Sequence, residues 1–258
     1  KISPEAYQMV SDLFRNLADI APLHVILGNQ DTNVKNASRL DSVSPIIEAL
    51  SHDNIHYHKN TCEVQFPKHN VSLCVMSILD PDNWYHPVNK ETTNIILYHG
   101  AVQGSKTDAG WTMEHGEISL DFLQEFDYAL LGDIHKTNQI LDDKGKARYP
   151  GSLICQNFGE TNDKGFLFWD IKDKDAYTCD HHKLTNPKPF VSIKLTKDGR
   201  LPYKVMPPKN ARLRLVAETR LSLDVIRRSL AAAKYKYKPE IVTFLNRTNS
   251  DRINVEGE

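Results

Sequence analysis

The apolar residues of this chain follow two patterns, which together predict a mixed α/β fold. Residues 4–19 place apolar side chains at helical spacing behind Ser3-Pro4, a cap followed by a proline at the first helical position, and so predict an amphipathic helix. Short uninterrupted apolar runs at 24–27, 94–98 and 128–131 are instead typical of buried strands. Helix followed at once by buried strand is half of a βαβ unit, so the pattern favours an α/β architecture.

The rest of the chain continues this alternation. Further helices are predicted at 44–50, 118–126 and 222–235, and further strands at 55–59, 63–66, 71–79, 139–141, 147–149, 165–171, 190–195, 211–218 and 240–246. Residues 100–117 form a long segment without clear periodicity, and loops of that length usually have a functional role. Pro187-Lys188-Pro189 predicts a boundary between a main domain at 1–186 and a small βαβ-like module at 187–258.

Composition narrows the class of protein. With 258 residues, 40% hydrophobic and 25% charged, the chain has the composition of a globular protein with a sizeable core. A net charge of −1 means that nucleic-acid binding would need a local groove rather than bulk charge. No apolar run reaches membrane-spanning length, and the four cysteines form no Cys-x-x-Cys pair, so we expect a cytoplasmic protein in a reduced compartment.

Three predicted strands end in polar sequences that can carry chemistry. These endings are Gly28-Asn29-Gln30-Asp31, His99-Gly100 and Gly132-Asp133-Ile134-His135. Open α/β sheets bind their ligands outside the carboxyl ends of the strands, so the three endings can converge. Asp133 and His135 would face one side if the strand continued through them. Such nitrogen and carboxylate donors suit a manganese-like, iron-like or zinc-like ion, and the prediction depends on the order of all three endings.

The same three endings resemble the motifs of the calcineurin-like metallophosphoesterases, and among them the SbcD-like nucleases. Three later sequences, Tyr149-Pro150-Gly151-Ser152, Asn157-Phe158-Gly159-Glu160 and Lys164-Gly165, are similar to the segment that follows the last metal motif of that family. The resemblance covers about residues 1–185. It implies a metallophosphoesterase sheet sandwich flanked by helices, with a small α+β capping domain that helps to engage DNA.

The resemblance also implies a role for each motif residue. Asn29, His99 and Asp133 would ligate one of two divalent metal ions, most simply manganese, and His135 would ligate the other. Asp133 stands where many relatives have histidine, which keeps a competent but anionic ligand.

A second set of residues would take part in catalysis and DNA binding. Gln30 occupies the position of the family's catalytic histidine, and glutamine donates a hydrogen bond but cannot deliver a proton at neutral pH. Asp31 would support the loop that carries it. The cations flanking the motif loops are candidate phosphate contacts: Lys35, Arg39, Lys106 and Lys136.

The function that this resemblance implies is a manganese-dependent DNA exonuclease or endonuclease of DNA repair and recombination. Its expected partners are DNA, an SbcC-like ABC-type ATPase and a second copy in a homodimer, with no membrane. The family's first pair of motifs, an Asp-x-His followed by a Gly-Asp-x-x-His, does not occur in these 258 residues, and we expect it upstream of Lys1. Gln30 favours a first alternative, a catalytically impaired DNA-end-binding or scaffold subunit. A second alternative is a small-molecule phosphodiesterase, against which the module after Pro187 counts.

Overall fold

The computed structural model describes residues 3–36 and 38–248, and it has a mixed α/β fold with several sheets and few helices. In these residues the helices are α1 (Pro4–Ala18), α2 (Ser44–Leu50), α3 (Leu120–Gln124) and α4 (Leu223–Tyr237). The strands are β1 (Leu23–Ile26), β2 (Ile55–His58), β3 (Cys62–Phe66), β4 (Val71–Met76), β5 (Thr93–His99), β6 (Tyr128–Gly132), β7 (Gln139–Ile140), β8 (Ala147–Tyr149), β9 (Gly165–Ile171), β10 (Tyr177–Lys183), β11 (Phe190–Lys194), β12 (Arg212–Ala217) and β13 (Ile241–Asn246).

Contacts divide the chain into two compact units. The first contains the described residues up to Ser152 together with Gly165–His182, and the second contains Leu153–Lys164 with the described residues from Lys183 onward. The division after His182 lies four residues before the predicted boundary at 186. The assignment of Leu153–Lys164 to the second unit was not predicted, and residues 249–258 of the predicted module lie outside the described residues.

Serine residues cap the N-termini of α1 and α3. Ser3 Oγ accepts a hydrogen bond from the backbone N–H of Ala6 at 3.2 Å, so α1 begins at Pro4. The third predicted helix is shorter than its pattern suggested, because Ser119 caps it and fixes its start at Leu120. No helix in the described residues has the length and apolar character needed to cross a membrane.

A six-stranded sheet in the order β3-β4-β5-β6-β8-β7 forms the centre of the first unit. Its middle strands β4, β5 and β6 are parallel, and the last residues of β5 and β6, His99 and Gly132, lie side by side in the register. Buried apolar side chains of these strands, including Met76, Ile96 and Leu131, build the core. The sheet therefore delivers two of the three polar strand endings to neighbouring positions on one edge.

β1 belongs to a separate sheet. Within residues 3–36 and 38–248 it pairs in parallel with β2 alone. Its four residues are only partly buried and only Leu27 after it is buried, so the prediction of a buried strand at 24–27 was too strong. β1 nevertheless packs against β5. This packing brings the third polar ending, which follows β1, toward the same edge of the central sheet. The loop between β1 and α2 is held by Asp41, whose buried carboxylate lies 2.9 Å from Lys59 Nζ and accepts hydrogen bonds from the backbone N–H groups of Val43 and Ser44.

Two segments of the first unit have more structure than the sequence pattern indicated. β10 was not predicted, because its alternation mixes histidines, charges and a single cysteine, and it forms a two-stranded sheet with β9. The long segment after β5 folds back on itself through paired bridges, Val102 with Ile118 and Lys106 with Thr112.

The second unit contains a three-stranded parallel sheet in the order β11-β12-β13, with α4 between β12 and β13 in the chain. Leu213 and Leu215 of β12 are fully buried and pack with Ile193 of β11 and with Ala233 and Tyr237 of α4. This is the strand–helix–strand pattern that the sequence predicts for the region.

Candidate functional site

The three polar strand endings meet within the first unit. Asn29 Nδ2 donates a hydrogen bond of 2.7 Å to Asp133 Oδ1, across 104 positions of sequence. His99 Nε2 lies 3.7 Å from the same carboxylate oxygen. The structure thus brings together the three residues that the resemblance assigns to one metal.

Two glycines hold the imidazole of His99 in place. A methyl group on Gly132 would lie 2.6 Å from His99 Nδ1, and one on Gly28 would lie 3.1 Å from His99 Nε2. Any larger residue at either position would push the ring away, since both distances are shorter than ordinary van der Waals contact. Sequence reasoning noted these glycines only as strand ends and did not assign them this role.

Asp133 has an unusual backbone conformation. Its φ is +94°, a region that non-glycine residues rarely adopt and that occurs most often at functional sites. β6 ends at Gly132, so the prediction that Asp133 and His135 share a face of a continuing strand was wrong. The turn at Asp133 aims its carboxylate at Asn29 and His99 instead.

The loop after β1 is closed by Asp31. Its Oδ2 accepts a hydrogen bond from the backbone N–H of Gly28 at 3.1 Å, and its own N–H donates to the carbonyl of Gly28 at 3.1 Å. The backbone carbonyl of Asp31 also accepts a hydrogen bond from the backbone N–H of Ser42 at 2.8 Å. These contacts fix the position of Asn29, while Gln30 at the tip of the turn is exposed.

Burial of His99 favours a neutral imidazole. Burial lowers the pKa of His99, the carboxylates of Asp133 and Asp31 oppose that shift, and His135 adds to it. The net direction is downward, so His99 holds a lone pair at neutral pH, as a metal ligand must. His135 follows Asp133 by two residues in the loop after β6, and it is one of the groups that lower the pKa of His99.

One buried oxygen atom of the cluster has no hydrogen-bond partner among the described residues. Asn29 Oδ1 is buried and accepts no hydrogen bond from any of the described residues. Buried polar atoms nearly always have a partner, so this oxygen marks a place where a cation or a donor belongs. An amide oxygen, a carboxylate and a neutral imidazole are suitable ligands for a divalent ion. Across residues 3–36 and 38–248, no three or more His, Cys, Asp or Glu side chains are arranged as a metal-binding group.

Two buried tyrosines support the edge of the central sheet at which the polar strand endings lie. Tyr149 OH donates to the carbonyl of Gly100 at 2.7 Å and accepts from the backbone N–H of Val102 at 2.9 Å. Tyr98 OH donates to Glu117 Oε2 at 2.7 Å. Burial, together with nearby acids including Asp133, raises the pKa of Tyr98, so this phenol stays protonated. Sequence reasoning named Tyr149 within a family-like segment but gave neither tyrosine this supporting role, because an apolar strand gives no sign of which residues support its end.

The candidate phosphate contacts fall in two places. Lys106 and Lys136 line one cavity, whose walls include none of Asn29, His99 and Asp133. Lys35 and Arg39 are exposed on the loop between Asp31 and α2.

Comparison with known proteins finds similar sequences. No family model matches the chain. A protein of Acanthamoeba polyphaga mimivirus, named "Uncharacterized protein R555", is 31% identical over 230 residues, which cover 84% of this chain and 16% of that protein. The chain therefore corresponds to a small part of that much longer relative, whose printed name states no activity.

Proposed function

We propose that this chain is the nuclease portion of a metal-dependent phosphodiesterase of the SbcD-like type, which hydrolyses DNA in end processing, repair or recombination. The proposal includes the finer architecture, a metallophosphoesterase sandwich with a capping module formed by the second unit. It also includes an ABC-type ATPase partner and a homodimer as the working assembly. The support comes from the site in the first unit and from the motifs that build it.

One observation carries the proposal. Asn29, His99 and Asp133 come from three separate strand ends, meet around one carboxylate and leave the buried Asn29 Oδ1 without a partner. An unsatisfied buried acceptor costs about 1–3 kcal/mol, and a bound cation at this oxygen would remove that cost. The strained φ of Asp133 supports the same reading, because such conformations persist where function requires them.

Each residue of the site would have its own role in binding metal or in positioning a ligand. Divalent ions, with manganese as the first candidate, would polarise the phosphodiester and activate a water molecule. Asn29 Oδ1, His99 Nε2 and Asp133 would hold one ion, and His135 would contribute to the second. Gly28 and Gly132 keep the imidazole in position, and Asp31 fixes the turn that carries Asn29. Each of these contacts restricts the ligands to one geometry before substrate arrives.

Gln30 supports the alternative of an impaired enzyme. Its side chain is exposed at the tip of the turn, next to Asn29. An amide there can hydrogen-bond a phosphate oxygen but cannot protonate a leaving alkoxide. On this alternative, the subunit binds metal and DNA ends but cuts slowly. The small-molecule phosphodiesterase remains a weaker alternative, because it leaves the second unit without a role.

The test is manganese binding by titration calorimetry. Asn29→Ala removes the unpaired acceptor, and Asp133→Asn removes the charge while keeping a residue that tolerates positive φ. We expect each to weaken Mn²⁺ binding at least tenfold, because even changes beyond the direct ligands cost that much. Asp143→Asn is the matched control, since Asp143 is an exposed carboxylate in the turn between β7 and β8.

The outcomes separate the proposal from its rivals. Equal Mn²⁺ affinity in all four proteins would show that the cluster is not a metal site and would refute the proposal. If Mn²⁺ binds and labelled duplex DNA is also bound but scarcely cut, the impaired subunit is correct. Hydrolysis of bis(p-nitrophenyl) phosphate without any DNA binding would support the small-molecule enzyme.

A further inference from the structure

The segment Tyr149-Pro150-Gly151 leaves the central sheet at the end of β8. β8 runs parallel to β6, so this segment emerges at the same edge of the sheet as Gly132, the last residue of β6. Two loops begin at that edge: one follows His99 at the end of β5, and the other carries Asp133 and His135 after β6. The segment contacts both loops, and each contact reaches their backbone.

The phenol of Tyr149 holds the loop after β5. Tyr149 is fully buried, and its OH donates to the carbonyl of Gly100 at 2.7 Å and accepts from the backbone N–H of Val102 at 2.9 Å. Gly100 directly follows His99, and its own N–H donates to the carbonyl of Gly132 at 3.2 Å. Burial raises the pKa of Tyr149, so the phenol keeps its proton and remains a donor. One side chain therefore fixes the path by which the chain leaves His99.

Pro150 and Gly151 hold the loop after β6. The carbonyl of Pro150 accepts a hydrogen bond from the backbone N–H of Asn138 at 3.2 Å. The φ of Gly151 is +90°, and a methyl group there would lie 2.8 Å from the carbonyl oxygen of His135 and 3.0 Å from Cα of Thr137. Both neighbours are backbone atoms, so any side chain at position 151 would push this loop away. Gly151 therefore sets how closely the loop of His135 approaches the end of β8.

We infer that Tyr149 and Gly151 are positioning residues, which together hold the loop after His99 and the loop of Asp133 and His135 at one fixed separation. The inference rests on the proposed function, in which both loops carry metal ligands. It adds two residues that act through those ligands rather than on the ion itself. Ligands held by such supporting contacts bind metal more tightly, because little freedom remains to be lost when the ion arrives.

The test compares Tyr149→Phe and Gly151→Ala with the unsubstituted chain by two measurements. The first is amide hydrogen exchange in EDTA, which needs no metal. Without the phenol oxygen, the N–H of Val102 should exchange about tenfold faster, since it loses one hydrogen bond. The second is titration calorimetry with Mn²⁺, in which each variant should bind about 10–100-fold more weakly, the usual result of losing a contact that supports a ligand. Tyr149→Phe removes a single oxygen atom, so this variant alone decides the test if Gly151→Ala fails to fold.

Each variant has a matched control in the first unit. Tyr128 is also buried and donates to a backbone carbonyl, that of Asp173 at 2.6 Å, but it is the first residue of β6 and lies at the opposite edge of the sheet. Gly110 has a φ of +85°, and a methyl group there would meet nothing within 4 Å. Tyr128→Phe and Gly110→Ala should therefore unfold at lower urea concentrations and bind Mn²⁺ as tightly as the unsubstituted chain.

The outcomes separate positioning from simple stability. If Tyr149→Phe folds, exchanges faster at Val102 and keeps its Mn²⁺ affinity, the phenol supports the fold alone and the inference is wrong. An equal loss of affinity in Tyr128→Phe would also overturn it, because the effect would then follow general stability. Unchanged exchange at Val102 would show that the phenol does not hold this loop. Absence of Mn²⁺ binding by the unsubstituted chain would instead contradict the proposed function, and the inference with it.

Discussion

The sharpest prediction concerns Gly132, where one added methyl group should displace His99. The φ of Gly132 is not positive, so alanine is compatible with the backbone and the effect is steric alone. The new Cβ would lie 2.6 Å from His99 Nδ1, so the ring must move by about 0.8 Å to reach the 3.4 Å of ordinary contact. It has little room, because Gly28 already lies against the other edge of the imidazole.

The expected size of the effect follows from this crowding. Adding a methyl group to a well-packed site costs about 1–3 kcal/mol. Misplacing a metal ligand through its support weakens metal binding about 10–100-fold. Gly132→Ala should therefore unfold at a lower urea concentration and bind Mn²⁺ about 10–100-fold more weakly than the unsubstituted chain. Gly28→Ala should have a smaller effect on His99, because its methyl group would lie 3.1 Å from Nε2.

The assay combines titration calorimetry with urea unfolding. Gly159→Ala is the control, because its methyl group would meet only Asn157 Oδ1, at 3.1 Å, far from His99 in sequence and in the second unit. If Gly132→Ala bound Mn²⁺ as tightly as the unsubstituted chain, His99 would not be a ligand in the position described. A loss of stability without any loss of affinity would show that the glycine serves packing alone.

Three further predictions follow from other parts of the first unit. Asp41→Asn should lower the free energy of unfolding by about 3 kcal/mol in urea titration, because it leaves the Lys59 ammonium without its buried partner; equal stability would contradict a structural ion pair. Burial lowers the pKa of His24 and His58, with neighbouring histidines adding to the shift, so their folded pKa values lie below their unfolded values. The stabilisation is then complete above the unfolded pKa and is lost as pH falls through the folded values. The melting temperature should drop as the pH is lowered from 7.5 to 5.5, and it should drop less in His24→Gln and His58→Gln. A melting temperature that does not depend on pH would contradict the lowered pKa values of these two histidines. Finally, Gln30→His should raise single-turnover DNA cleavage by about 10²–10⁴-fold with Mn²⁺ affinity unchanged, if the missing general acid limits the rate; equal cleavage rates would show that it does not.

The sequence by itself determined most helices and strands of the first unit and the polar residues at the strand ends. Helical spacing behind Ser3-Pro4 predicted α1, and apolar runs predicted β5 and β6 to within a residue or two of each end. These signals are reliable because capping, side-chain periodicity and turn chemistry depend on neighbours a few positions away. Candidate ligands could be named for the same reason, since a polar residue directly after a buried strand is visible in the chain.

Only the tertiary structure decided how those ends meet. The pairing of His99 with Gly132, the contact of Asn29 with Asp133 and the two glycines around the imidazole join positions that lie far apart in sequence. The positive φ of Asp133 is likewise fixed by its surroundings, because aspartate tolerates this conformation but does not require it. Strand pairing and side-chain packing are long-range, so no local pattern encodes them. The unpaired oxygen of Asn29 could therefore be found only once the fold had buried it.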